Sequence, residues 1–394
     1  MTVLDFNCKD IFRSVRHAFS MQRIWIQFVG LLSSYAIYVV LAYLAFILSG
    51  QGFATVWDRY GLLPIIPGGY IPFYSVIVYA LAVFALVYGY MITATGVSRA
   101  AYMNLKGNTF YTWKEAMAFA WKKKFSILGT PLSLAILIVF LILGGGLMGL
   151  IGKIPYAGEL FIALFSILWI LAALFIAFAG IALTVSVLLT PAIIAATDDD
   201  AFEGIFQSFS IAFTQPWRLL FYQGLNVIGS LFGLFTFTLL IKYTWKVLCL
   251  ILTWGMGDKF VHIASAASYY VQNWTYPFVL CYKNLLGSYG NIFFFTYDFT
   301  AVSLPSWSES ISAVILAIVL VLLGGYVLSY PLAVFNTGHL LSFLVIKKIK
   351  DDENLLERKD REEEDDEDEE ETVEAAEPEK PAEEEKKAKK KKGK

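Results

Sequence analysis

Several stretches of about 20 or more residues in this chain carry no acidic or basic side chain, among them the run from Ile24 to Leu48. An apolar helix of that length crosses a hydrocarbon core. Composition agrees. The 394 residues are 57% hydrophobic and 16% charged, where a soluble protein of this size would carry nearer a quarter charged residues. The fold class this predicts is an all-α membrane protein with about six transmembrane helices.

By apolar length the spans fall at about 24–48, 74–97, 127–151, 160–189, 218–241 and 311–335. A last apolar stretch, Leu340 to Ile346, leads into Lys347, Lys348 and Lys350. Lys9, Arg13, Arg16 and Arg23 precede the first span. Arg99, Lys106, Lys114 and Lys122 to Lys124 lie between the second and third. An even count places these clusters and both termini on one side, which the positive-inside rule makes cytoplasmic.

The charge is segregated. Residues 351–394 hold 21 acidic and 11 basic side chains, so a near-neutral total conceals a basic body of about residues 1–350 and an acidic tail. That tail, with its closing lysine tract, has no apolar periodicity and is expected to be disordered. It is a candidate site for a protein partner. Membrane lipids are the other expected partner, and no specific nucleic acid is.

"IFRSVRHAFSMQRIWIQFVG" from Ile11 and "IFQSFSIAFTQPWRLLFYQG" from Ile205 align without a gap. Their shared apolar positions, Ile11, Phe12, Val15, Ala18 and Phe19 against Ile205, Phe206, Phe209, Ala212 and Phe213, mark one face of a helix. A weaker copy runs through Trp113, Met117, Ala120 and Trp121. Start signals stand at Asp10, at Thr112 with Glu115, and at Asp200 with Glu203, the last two spaced as capping boxes. The body therefore reads as three units, about 10–98, 112–190 and 200–346, each an interfacial amphipathic helix followed by a transmembrane hairpin. The third carries an aromatic-rich insertion at about 242–307, either a packed outer cap or a lid over a substrate path. In the third helix, Ser210 falls on the polar face and Phe209 on the apolar one.

Intramembrane ionisable residues are scarce, and His17, His262 and His339 show no ligand spacing. GxSxG, Walker and GxGxxG patterns do not occur, so neither a catalytic residue nor a cofactor or metal site is expected. The glycine run from Gly144 to Gly152 is spaced for close helix contact. Three cysteines, Cys8, Cys249 and Cys281, form no framework. Gln223, Asn226 and Asn336 are candidates for a polar solute path, or else for hydrogen bonds between helices. Lys122, Lys123, Lys124, Trp217 and Arg218 sit where a chain enters the bilayer and are candidate contacts for lipid headgroups.

From Leu188 to Leu225 the chain resembles a group of bacterial integral membrane proteins. These are the membrane domain attached to some glycerophosphodiester phosphodiesterases and the related stand-alone YciC-like proteins. The residues carrying the resemblance are Pro191, Asp198 to Asp200, Ser208, Phe209, Trp217 and Arg218. It implies a six-span protein of the bacterial inner membrane. The catalytic histidines and metal-binding acids of the phosphodiesterase are missing, so that activity does not follow. The expectation is a non-enzymatic scaffold, accessory or envelope-homeostasis protein. The alternatives are a permease for a lipid-like or small polar solute, and a lipid-processing enzyme.

Overall fold

The computed structural model describes residues 4–65, 71–278 and 306–358. The chain divides into two compact units, Met1–Leu355 and Leu356–Lys394. Of the second only a turn at 356–358 is described, so the expectations for the charged tail lie outside the described residues. So does part of the aromatic insertion, 279–305.

Among the described residues there are thirteen helices and no strand. Two short ones, α1 (Cys8–Phe12) and α2 (Ser14–Ala18), lead into α3 (Met21–Leu48). After α4 (Phe53–Tyr60) come α5 (Phe73–Lys106), α6 (Trp113–Lys122) and α7 (Lys124–Ile151). Next are α8 (Ala157–Leu164), α9 (Ser166–Thr197), α10 (Ala201–Thr214) and α11 (Pro216–Met256). The first unit ends with α12 (Asp258–Trp274) and α13 (Trp307–Asp351). Six of these, α3, α5, α7, α9, α11 and α13, are long and apolar enough to cross a membrane. The protein is a polytopic, all-α membrane protein.

Several boundaries differ from expectation, for local reasons. α11 runs past Ile241 to Met256, because lysine is a good helix former and nothing breaks the helix before Gly257, at φ 63. The region expected to open the insertion is thus helix, and α12 follows it. α13 is one helix of 45 residues that joins the sixth span to the apolar stretch beyond it. The fourth span starts at Ser166, with α8 a separate helix before it. At the N-terminus Asn7, not Asp10, is the cap. Asp10 is the third residue of α1 and completes a capping box, and the helix breaks at Arg13.

The packed core lies toward the end of the bundle where α3 begins and α13 stops, called here the basic end. From Val327 to Ile346 nearly every residue of α13 is buried, as is every residue of α5 from Met91 to Tyr102. α9 buries Leu189 to Thr197 there. In contrast α7 buries nothing after Leu134, and α9 nothing before Ala179. Lipid tails are as apolar as leucine, so a span needs no protein partner along its whole length. This also answers for the glycine run. Among the described residues Gly144, Gly145, Gly146 and Gly149 have open space where a Cβ would stand, and only Gly152, at the end of the run, meets another helix, where a Cβ would come within 3.1 Å of Ile162 of α8.

Close helix contact is made elsewhere. A Cβ on Gly30 of α3 would overlap the Thr93 side chain of α5, and one on Gly338 of α13 would overlap Asn226 of α11. Prolines 131, 191 and 331 lie buried inside α7, α9 and α13. Buried hydroxyls stand beside all three: Thr130 donates to Ser126 O at 2.9 Å, Ser329 donates to Gly325 O at 2.8 Å, and Thr190 shares a hydrogen bond with Ser186 at 3.1 Å.

Candidate functional site

The basic end is built from short helices that turn into spans. Thr112 caps α6 with a complete box: its Oγ1 accepts from Glu115 N at 3.3 Å, and Glu115 Oε2 accepts from Thr112 N at 2.9 Å. At α10 the box is only half formed. Asp200 Oδ1 accepts from Phe202 N and Glu203 N at 3.1 and 3.3 Å, but the Glu203 carboxylate accepts from Gln207 Nε2 at 2.5 Å instead of reaching back. Pro216 then occupies the first turn of α11, where its missing N–H is not needed.

The faces of these short helices are not those of a soluble protein. α10 buries Gly204, Gln207, Ser208, Ile211 and Ala212. Its phenylalanines 202, 206 and 213 are exposed, the last at 77%, and Trp217 just beyond is 81% exposed. The expected contrast between Ser210 and Phe209 is absent, since both are half-buried; Ser210 Oγ accepts from Lys350 Nζ at 2.5 Å. Phe12 and Phe19 are exposed beside α1 and α2, as are Trp121 and Phe125 at the α6–α7 junction. Exposed apolar and indole rings beside cations suit the boundary between headgroups and acyl chains.

The candidate headgroup residues separate into two kinds. Lys122 is exposed. Lys124 lies over the Trp121 and Phe125 rings at 5.7 and 5.1 Å. Trp217 and Arg218 line an open groove of about 690 Å³ together with Phe6, Cys8, Tyr222 and Ile349. Within it Arg218 Nη1 donates to Gln215 Oε1 at 2.7 Å. Lys123 is committed elsewhere. Its Nζ stands 2.7 Å from Asp198 Oδ1 and also donates to the Asp198 carbonyl at 2.5 Å.

Asp198 also faces Arg99, whose Nη2 is 3.9 Å from Oδ2 and whose Nη1 donates to Ala195 O at 3.1 Å. The buried Arg99 guanidinium sits over the Phe119 ring at 4.2 Å. This cluster ties α5, α6, α7 and α9 together. In the sequence Arg99 reads only as an orientation marker. The overlooked signal is that Arg99 follows a long charge-free run and is continued by helix-forming Ala100 and Ala101, which places the charge inside a span.

The polar path is not assembled. Asn336 Nδ2 donates to Gln27 Oε1 at 2.8 Å, and Tyr90 Oη donates to Asn336 Oδ1 at 2.9 Å, joining α13 to α3 and α5. Asn226 Nδ2 instead donates to the Phe335 carbonyl at 2.8 Å and packs against Gly338. Gly338 is two residues beyond Asn336, about 200° around the helix, so the two asparagines meet different faces of α13. Gln223 is half-buried, and its Nε2 has no protein partner.

No protein-family model, curated protein or solved structure matches this chain.

Proposed function

We propose that this protein is a non-enzymatic membrane scaffold that grips the cytoplasmic leaflet of a bacterial inner membrane through its short helices. The observation that carries the reading is the inverted face of α10, which buries Gln207 and Ser208 while exposing Phe202, Phe206 and Phe213. A helix so arranged gains by laying its rings among headgroups and acyl chains. Arg218, Lys122 and Lys124 stand beside exposed rings, where cations meet lipid phosphates. On this reading the acidic tail is the cytoplasmic site for a protein partner.

The permease reading needs Gln223, Asn226 and Asn336 around one space. The hydrogen bonds of the two asparagines to separate helices favour the scaffold instead. The enzyme reading needs ionisable groups that converge with one left free to act. Arg99, Lys123 and Asp198 converge, but the single carboxylate is held between two cations, as in a latch.

The test is gentle detergent extraction followed by identification of the lipids and proteins that remain bound. Anionic phospholipid enriched over the bulk membrane, and reduced when Arg218, Lys122 and Lys124 are changed to glutamine, is the expected result. Bound lipid of bulk composition, unaffected by those changes, would remove the basis for the reading.

A further inference from the structure

Arg23 lies in the first turn of α3 and is 6% exposed. Its Nε and Nη1 are enclosed and reach no acceptor, and no carboxylate among the described residues pairs with it. A buried guanidinium ordinarily has a partner, because taking an unpaired charge out of water is costly. Arg13 shows the paired condition nearby, with Asp10 at 2.6 Å and Asp5 at 3.1 Å. The charges acting on the neighbouring His17 are mostly of the same sign as Arg23. Burial holds the His17 imidazole below its ordinary pKa, and Arg23, Arg16 and Arg13 add to the effect, with Asp10 alone opposing.

The backbone supplies further donors at the same place. Ser20 is the N-cap of α3 with extended backbone, and its side chain makes no capping bond. The amides of Met21, Gln22 and Arg23 are therefore left without a side-chain acceptor at the positive end of a 28-residue helix. Side chains on a helix lean toward its N-terminus, so the guanidinium and these amides share one end. Two independent features, an uncapped first turn and an unpartnered buried arginine, call for an anion that the described residues do not provide.

We propose that Arg23 and the first turn of α3 bind one phosphate group, supplied by the phosphodiester headgroup of a membrane lipid or by inorganic phosphate. Arg offers a fork of N–H donors that matches two phosphate oxygens. The lipid source rests on the leaflet-gripping reading above; the inorganic phosphate source does not.

The experiment uses the full-length chain, delipidated in a non-ionic detergent. Native mass spectrometry and thermal unfolding follow titration with phosphatidylglycerol, phosphatidylcholine or sodium phosphate. The wild type is expected to retain one phosphatidylglycerol and to be stabilised by it. Arg23→Met should weaken that binding tenfold or more, and Arg23→Lys severalfold, while Arg59→Met, at an exposed position of α4 beyond the far end of α3, leaves it unchanged. Stabilisation by sodium phosphate that Arg23→Met abolishes identifies free phosphate as the ligand. Equal binding by wild type and Arg23→Met, or no saturable binding of any of the three, overturns the site. Should Arg23→Met fail to fold, Arg23→Lys decides, and affinity equal to wild type overturns it. Loss at Arg23 with no effect of Arg218, Lys122 or Lys124 leaves this site standing while the wider leaflet-gripping reading fails.

Discussion

Asp198 closes α9 in a left-handed conformation, φ 56, and from there holds Lys123 at 2.7 Å while facing the buried Arg99 at 3.9 Å. One carboxylate thus ties the end of one span to the start of another. Asp198→Asn keeps the shape and tolerates the positive φ, so it isolates the charge. Removing one partner of a buried ion pair costs roughly 3–5 kcal/mol. The variant should unfold at a clearly lower temperature in detergent, and Asp198→Glu should recover only part of the loss. An unchanged unfolding temperature would show that the cluster contributes nothing to holding the helices.

Gly338 and Asn226 make a second testable pair. A Cβ at 338 has no room while Asn226 donates to the Phe335 carbonyl at 2.8 Å. Gly338→Ala should therefore destabilise by about 1–3 kcal/mol, through overpacking and a displaced hydrogen bond. In an Asn226→Ala background the same change should be nearly neutral, giving a coupling energy above roughly 0.5 kcal/mol. Additive effects in thermal melts would show that the two residues do not meet.

The spans were readable because an apolar run of sufficient length has one solution in lipid, and all six appear. What sequence misjudged is instructive residue by residue. Gly144 to Gly149 look like a helix-contact motif, yet face open space, because small residues permit close approach without requiring it. Gly338, which no motif marks, is where two helices do touch. Lys123 reads as one of three equivalent anchors beside Lys122 and Lys124, but its register alone brings it to Asp198 across 75 residues of chain. Asn226 and Asn336 look like companions in composition and are turned apart by a helical offset. Arg23 reads as a flanking charge, and only its burial without a partner sets it apart. Periodicity tells which residues share a helix face; it does not tell which face meets which neighbour.

His17 gives a pH dependence of definite sign. Its pKa is lowered in the folded protein, first by burial and then by Arg23, Arg16 and Arg13. The unfolded chain therefore binds the proton more readily, so the stability tied to neutral His17 is fully present above its ordinary value near 6.5. It is lost as pH falls below that value. Unfolding temperature should drop on acidification from pH 7 to 5, and His17→Asn should flatten that drop. A wild-type profile matching the variant's would remove His17 from the account.

Cys8 provides the means to fix the orientation. It is exposed, lies on α1 at the basic end and forms no disulfide. Replacing Cys249 and Cys281 by serine leaves it as the single thiol. If the basic end faces the cytoplasm, as Lys9, Arg13, Arg16 and the lysines around 122–124 require under the positive-inside rule, a membrane-impermeant maleimide should label Cys8 only in inverted vesicles. Intact cells or right-side-out vesicles should give no signal until they are permeabilised. Labelling from the outside would reverse the topology, place α10 and its exposed phenylalanines on the opposite leaflet, and remove the cytoplasmic setting from the proposed scaffold.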